Sequence, residues 1–443
     1  MTAVLGAELP PRWSAAPLKH VTEVLNRGSA PNYVDAGPVR AVGQASNQSG
    51  GLDWGRTRFH DFLGATKIKG HLHKDDVLIN STGTGTLGRV GYFSGPPDGL
   101  PCMADSHVTI VRTKHEALLP RFAFYWLTSR AFQEYIFAAL VVGATNQIEL
   151  NSDRLGDALV PLPPLEEQRS IADFLDVETA RLDRLYDLRA RQQTLLEEAA
   201  FRRVYDAVRG AHFKDVRKES GLDWLGPVPA NWRVGAVSHY FEVELGKMLN
   251  QERAQGKYLR PYLRVANVQW DRIDVTDLAM MDFPPTEQAR YRLKPGDLLV
   301  NEGGSWPGRA AVWSGEITEI YYQKALHRIR ARGNELTRWL YYCLVASERM
   351  RVFQVQGNTS TMTHLTREQL RPQRFPFPDV PTQARLVTEL DRAASQDAEV
   401  KQLLSRQLTL LAERRQALIT SAVTGQFDVS TASGRNVTEG VTA

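Results

Sequence analysis

Glycines, histidines, lysines and arginines at short spacings are the first residues in this sequence that could do chemistry. Gly83, Gly85 and Gly88 in GTGTLG fit G-x-G-x-x-G after a strand-like run, a pattern that elsewhere lets backbone approach a dinucleotide pyrophosphate. No helix pattern follows, since RVGYFSGPPDG reads as strand and turn. A glycine-rich loop lying against nucleic acid, or a simple turn, is the other account of the same residues. His71 and His73 stand two apart beside Lys67, Lys69 and Lys74 in KIKGHLHK. They could begin a metal pair, but no third ligand is evident; a basic loop that meets phosphates and a merely solvated loop are the alternatives.

Arg89 and Arg309 each follow a glycine-rich loop, at Gly88-Arg89 and Gly308-Arg309. Arginine can hydrogen-bond guanine through both prongs or grip a phosphate, and it can equally form a structural ion pair. Arg40 and Arg264, at matching places in early strand-like runs, are assigned to structure. The loops GATNQ (143–147) and GNTST (357–361) carry amides and hydroxyls at equivalent places. Asn146 and Gln147 could read adenine edges, with Thr359, Ser360 and Thr361 as their counterparts; a polar turn is the bland reading. Trp13 and Trp232 read as core anchors rather than base-stacking groups.

What is missing from the sequence narrows the chemistry. There is no GxxxxGK[ST] to cradle ATP phosphates, no [DN]PP[YF] of the amino-methyltransferase kind and no HExxH. Cys102 and Cys343 are the two cysteines, far apart and outside any CxxC pattern, which indicates buried thiols rather than a disulfide framework or zinc site. Hydrophobic residues make up 42% and charged residues 23%, so the 443-residue chain is long enough for two or three folded units and is not disordered as a whole. A net charge of +4 permits a polyanionic partner without requiring one. The longest apolar stretch, 135–144, is far too short to span a bilayer, and the first residues lack a signal-peptide pattern; a soluble, cytoplasmic protein is expected.

The elements that must position these residues come in two copies. Trp13 and His20 recur as Trp232 and His239, each tryptophan a few residues after a proline. DDVLIN (75–80) matches GDLLVN (296–301), LPRFAFYWL (119–127) matches LTRWLYYCL (336–344), and PLPPLEEQ (161–168) matches PFPDVPTQ (376–383). The offset drifts only between 215 and 221 residues, which marks an internal duplication. Segments 165–209 and 380–424 have apolar residues at spacings of three and four with no internal glycine, and only a first-turn proline in the second, between a proline before and a glycine after. They predict two long helices, each reaching roughly 60 to 70 Å if unbroken. Ile171, Leu175, Leu188, Leu195 and Leu196 of the first correspond to Leu386, Leu390, Leu403, Leu410 and Leu411 of the second, so antiparallel pairing of the two seams is expected. Strand-like runs mixed with short helices make each globular segment α+β, or mixed α/β.

PLPPLEEQRSIADFLD opening a long helix, and SGLDWLGPVPANW opening the second globular segment, resemble the specificity subunits of Type I restriction-modification systems. The resemblance extends to about residue 429. The first segment keeps only LGAELPPRW of the SGLDWLG opening, and PFPDVPTQ is degenerate beside PLPPLEEQ. It implies a duplicated α+β architecture of two globular target-recognition domains separated by two long antiparallel coiled-coil helices. The implied divisions are recognition domain 1 (1–160), first helix region (161–210), linker (211–228), recognition domain 2 (229–375), second helix region (376–429) and a disordered tail (430–443). It further implies a non-catalytic chain that reads a bipartite, asymmetric site in double-stranded DNA and carries no cofactor of its own. Partners would be two modification subunits that methylate adenine and a restriction, or translocase, subunit. Those partners would use S-adenosylmethionine, ATP and Mg. Within that reading, Lys67, Lys69, His71, His73, Lys74, Arg89, Asn146, Gln147, Arg309, Thr359, Ser360 and Thr361 are the candidate DNA-binding residues. Leu175, Leu188, Leu195, Leu390, Leu403 and Leu410 are the candidate partner-binding ones.

Overall fold

The structure is a computed structural model that describes residues 3–48, 51–62, 67–83, 85–143, 148–248, 255–303, 307–355 and 364–431. The chain packs into two units, Met1–Ala190 with Ser405–Ala443, and Arg191–Leu404. Each unit therefore holds one globular domain, part of one long helix and part of the other.

In the first unit, DVLIN forms the strand Asp76–Asn80 because its alternating apolar side chains have two cores to fill. Val77 and Ile79 enter the main cluster, whereas Leu78 points into a second cluster with Val42, Cys102 and Ala104. This strand is inner in a four-stranded antiparallel sheet, ordered Val90–Phe93, Asp76–Asn80, Val108–Thr113, Thr22–Arg27. Behind Leu78 lies a second sheet in which Cys102–Ala104 runs parallel to Val39–Val42, followed by Arg58–His60 and Tyr33–Val34.

The second unit repeats this plan. Its sheet runs Phe241–Leu245, Leu326–Ala331, Leu298–Asn301, Ala310–Val312, with Leu298 and Val300 in one core and Leu299 in another. Its smaller sheet runs Ala279–Asp282, Leu259–Leu263, Tyr321–Tyr322. Even the polar interior is copied. Asp76 is buried against Arg112 at 2.7 Å, and Asp297 is buried against Arg330 at 2.6 Å. Both cysteines are buried thiols.

The long helices are Leu165–Val208 and Val380–Val423, 44 residues each. At each start a buried glutamine ties the helix to the domain before it. Gln168 Oε1 accepts from the Leu119 N–H at 2.8 Å, while its Nε2 donates to the carbonyls of Ala117 and Pro163 at 3.0 and 2.9 Å. Gln383 does the same with the Leu336 N–H at 3.1 Å and the Pro378 carbonyl at 2.8 Å, and also donates to Glu335. Asp379 caps the second helix by accepting from the Thr382 N–H at 3.1 Å, and Pro381 is tolerated because first-turn N–H groups have no intrahelical partner. The degenerate PFPDVPTQ thus keeps the groups that matter for starting a helix.

The helix ends are closed by glycines that only a chain without Cβ can supply. Gly210 (φ +65°) and Gly425 (φ +73°) are left-handed, and an added Cβ would lie 2.7 Å from Pro229 and 2.4 Å from Pro10 respectively. Trp232 and Trp13 complete these two joints, each within 3.4 Å of where that Cβ would be, and both are core anchors as expected. The opening of each globular domain therefore meets the end of a long helix within its own unit, and for the first domain that helix is the second one.

Pairing is antiparallel within each unit. In the first, Asp183 accepts from Arg415 at 2.8 Å and Phe174 packs on Phe427 with ring centroids 5.6 Å apart. In the second, Lys401 donates to Glu197 at 2.5 Å and Arg203 bonds Asp397. The segment expected as a linker is structured: Arg217–Lys218 pairs with Val228–Pro229, and Leu225 and Val228 are buried in the second unit's core. Of the expected disordered tail, Ser430 and Thr431 belong to the short 3-10 turn Val429–Thr431, and residues 432–443 lie outside the described residues.

The buried amide of Gln168 yields a stability prediction. Replacing it with alanine strands one buried N–H and two carbonyls, and each such orphan costs about 1–3 kcal/mol when it stays dry. Gln168→Ala should lower unfolding stability by at least about 1–3 kcal/mol, read as a lower urea midpoint at unchanged slope.

Candidate nucleic-acid interface

The basic loop is built on an edge pairing. Leu72 is buried and its N–H donates to the Cys102 carbonyl at 2.9 Å, while His71 forms a bridge with Met103. Alternation along this short extended stretch sends His71 and His73 outward, and Lys67, Lys69 and Lys74 are exposed beside them. The two imidazoles lie edge to face, with centroids 5.1 Å apart. Partial burial, then the neighbouring His73 and Arg112, hold His71 below its ordinary value of 6.5. Among the described residues no group of three His, Cys, Asp or Glu side chains is placed to hold a metal ion.

The glycine-rich loop returns a strand to a strand. Gly83, Gly85 and Gly88 all have positive φ, the Gly88 N–H donates to the Asn80 carbonyl at 2.8 Å, and the chain re-enters the sheet at Val90. A dinucleotide cradle needs a helix starting there, and the described residues have none at that point, which removes that reading. The loop of the second domain closes identically, Gly308 N–H to Asn301 carbonyl at 2.8 Å.

Arg89 and Arg309 hold equivalent places and equivalent partners. Arg89 Nη1 donates to Gln48 Oε1 at 2.7 Å and to the Asn47 carbonyl at 3.2 Å; Arg309 bonds Gln269. Both fasten a small hairpin to the sheet. Arg40 pairs with Asp98 and Arg264 with Asp277, each at 2.6 Å, in the structural role expected. Their supposed equivalence fails, however. The Asp105 N–H donates to the Val42 carbonyl and the Gln323 N–H to the Leu263 carbonyl, so the register matches Val42 with Leu263, and Arg264 stands opposite Gly43. Asn146, Gln147, Thr359, Ser360 and Thr361 lie outside the described residues.

On the helices, Leu175 and Leu390 are buried in their own units' cores, which corrects the expectation that they face a partner. Leu188, Leu195, Leu403 and Leu410 are 52–61% exposed. The seam instead uses Leu182 and Leu404, which are buried, with Leu196, Leu408 and Leu411 partly so. Leu188 with Leu195, and Leu403 with Leu410, thus keep heptad spacing yet lie off the seam, on the outer side of each helix.

A polar cleft of about 210 Å³ in the first domain went unseen in the sequence. Its floor is Asp105, buried, whose carboxylate accepts from the Tyr33 hydroxyl at 3.2 Å and the His107 N–H at 2.8 Å. Burial pushes the Asp105 carboxyl up, and it pushes the Tyr33 hydroxyl to about 12, with Asp105 adding to the effect. Gln44 closes one side, its Oε1 accepting from Thr82 and Thr86 of the glycine-rich loop at 3.5 and 3.4 Å. Arg58 lies over the Tyr33 ring, 3.8 Å from its centroid. These residues are scattered from 33 to 107, and no local spacing connects them.

Two globular domains with one frame and different rims, each carried on paired helices, define a duplicated recognition protein. Residues 45–197 match the family model described as Type I restriction modification DNA specificity domain. The chain is 21% identical to the Type I restriction enzyme EcoKI specificity subunit of Escherichia coli K12, over 95% of this chain and 90% of that one. It is 25% identical to a putative type I restriction enzyme MjaX specificity subunit of Methanocaldococcus jannaschii, over 54% of this chain and 56% of the relative, a little over half that protein's length. Among solved structures, a chain from work on complex assembly and conformational transition of the type I R-M system superposes with a TM-score of 0.72 at 19% identity, covering 95% of this chain and all of that one. The HsdS subunit of Thermoanaerobacter tengcongensis gives 0.53 at 20% identity, covering 95% and 98%. Residues 45–197 thus match the DNA specificity domain of Type I restriction-modification systems, and nearly the whole chain is similar to a specificity subunit of such a system.

The histidine pair makes this surface testable by itself. In an NMR titration His71 should reach half-protonation below pH 6.5, and His73→Gln should move that midpoint upward by removing one of the charges that oppose protonation. An unchanged midpoint would mean that the rings do not sense each other.

Proposed function

We propose that the chain reads a bipartite, asymmetric DNA site, one half with each globular domain, and directs adenine-methylating and restriction subunits to it. The observation that carries this reading is the repeated frame with substituted rims. Asp105 in one cleft stands where the other domain has Gln323, and Gln44 where it has Val265, while the scaffold bonds around them are kept. Two copies that conserve support and vary contact chemistry suit two different sequences read by one protein.

Exposed Lys67, Lys69 and Lys74, with His71 and His73, would meet phosphates and give binding its salt dependence. Arg89 and Arg309 would contribute by holding hairpins in place. The outward leucines, Leu188 with Leu410 and Leu195 with Leu403, would form two similar docking points for modification subunits, one in each unit. S-adenosylmethionine, ATP and Mg would be used by those partners. No helix among the described residues is long and apolar enough to cross a membrane.

The purified chain mixed with DNA and labelled S-adenosylmethionine should transfer nothing, and adding a modification subunit should produce adenine methylation at one split sequence. Methyl transfer by the chain alone would overturn the adaptor role. The helices should also act as a ruler. One heptad inserted after Gln192 and one after Gln407 preserves both seams and lengthens each helix by roughly 10 Å. Methylome sequencing should then show the unspecified spacer longer by up to roughly three base pairs, since B-DNA rises about 3.4 Å per pair, with both half-site sequences unchanged. A stable variant that methylates only the original spacing would refute the ruler.

A further inference from the structure

The guanidinium of Arg58 lines the first domain's polar cleft, over the Tyr33 ring, without a carboxylate paired to it. Other arginines of this domain are committed: Arg40 to Asp98 at 2.6 Å, Arg56 to Asp53 at 3.0 Å and Arg112 to Asp76 at 2.7 Å. Arg58, among the described residues, has neither an ion pair nor a hydrogen bond, only the Tyr33 ring 3.8 Å beneath it. That ring is fixed in turn. Its hydroxyl is bonded to the buried Asp105, and its strand pairs with the strand carrying Arg58. Gly43 lets this stack form, because a Cβ there would lie 2.4 Å from Asp105 Oδ2. A buried carboxylate thus orients a phenol, and the phenol orients an uncommitted planar donor.

Resting on the DNA-reading function above, we propose that Arg58 reads a guanine in the half-site of the first domain, with Tyr33 and Asp105 as its positioning residues. A fork of parallel N–H donors matches the O6 and N7 acceptors of guanine in the major groove, and stacking on an aromatic face removes the rotamer freedom that such a contact would otherwise lose. Phosphate is the weaker fit. The cleft is concave and its floor is the Asp105 carboxylate, which repels an anion but accepts from an exocyclic amine such as the cytosine N4 of the same base pair. Gln44, whose carbonyl end is taken by Thr82 and Thr86, has its amide N–H to offer at the rim. Register with the second domain shows that this is a place where the copies diverge. Arg58 pairs with Ala41, and at the matching pair Tyr262 stands opposite Ala279. Alanine cannot read guanine, so the second half-site should lack the guanine preference that Arg58 confers.

The test uses the full chain assembled with its modification subunits and a library of duplexes randomised across the site, with the bound fraction sequenced. The unaltered complex should select a split motif containing a G·C pair in one half. In Arg58→Ala that single position should become degenerate, its preference falling on the order of 10- to 100-fold, with the other half-site unchanged. Arg58→Lys, which keeps charge and stem but lacks the fork, should relax the same position and guards against a variant that fails to assemble. Tyr33→Phe, which keeps the ring and loses the bond to Asp105, should weaken the preference less. A uniform loss of affinity with the motif intact would make Arg58 a phosphate contact and overturn the assignment, as would an unchanged motif at unchanged affinity. If the unaltered complex selects no motif, the DNA-reading function fails and the assignment with it.

Discussion

A 44-residue helix with a narrow apolar stripe cannot stand alone in water, and the two long helices of this chain meet that constraint by running antiparallel against each other in both units. The rest of the architecture follows from where their ends must go. Each helix start is tied by a buried glutamine to the domain preceding it, and each helix end is closed by a left-handed glycine pressed against a proline and a tryptophan. Because the pairing is antiparallel, the start of one helix and the end of the other fall in the same unit. The first unit therefore contains residues 405–443 as well as 1–190. Trp13 joins both sets of contacts, lying near the site of Gly425 while its indole N–H donates to Glu167 at 3.0 Å.

Between their ends the helices are held more sparsely. Exposed pairs such as Lys401 with Glu197 contribute at most about 1 kcal/mol each, so they set register more than they supply stability. Burial is concentrated near the globular domains, where Ile171, Leu175, Ile419 and Val423 share one core and Val208, Leu386 and Leu390 share another. Such a distribution leaves the central stretch with leucines to spare. Their exposure is the physical basis for reading that stretch as a docking surface.

Much of this was legible in the sequence, and the reasons differ by element. Helix bounds emerged almost to the residue, because proline before and glycine after are strong local signals and the duplication supplied each twice. The tryptophans were legible as anchors for the same reason. Seam residues were half right: periodicity identifies a stripe, but on a long helix it cannot separate leucines that face the partner helix from those one step around the cylinder, as with Leu182 and Leu188. Arg40 and Arg264 were mispaired because their neighbourhoods look alike in sequence, and only strand register shows that Arg264 replaces Gly43. The cleft was not legible at all. Tyr33, Arg58 and Asp105 converge through a parallel strand pair and its neighbours, and nothing local announces a pairing between residues so far apart in the chain.

A globular domain carried on a helix can swivel about it, and both joints carry the same device against that. Arg121 Nε and the Tyr125 hydroxyl donate to Asp176 at 2.7 and 2.5 Å; Arg338 Nε and the Tyr342 hydroxyl donate to Asp391 at 2.8 and 2.5 Å. Each arginine and tyrosine sits on the short helix of a globular domain, and each aspartate on a long helix. Burial raises the hydroxyls of Tyr125 and Tyr342, with the bond to aspartate adding to it, so the phenols remain donors across the physiological range. Desolvating such charges returns little net stability, and an apolar patch of equal size would hold the surfaces together as well. What an apolar patch lacks is direction. A carboxylate that must meet a guanidinium and a hydroxyl at fixed angles permits one orientation of globular domain on helix, and a shift of one helical step would break both of its bonds. Both copies retain this cluster, whereas the residues lining the first domain's cleft are replaced in the second, Asp105 by Gln323 and Gln44 by Val265: the joint between domain and helix is kept while the surface it carries differs.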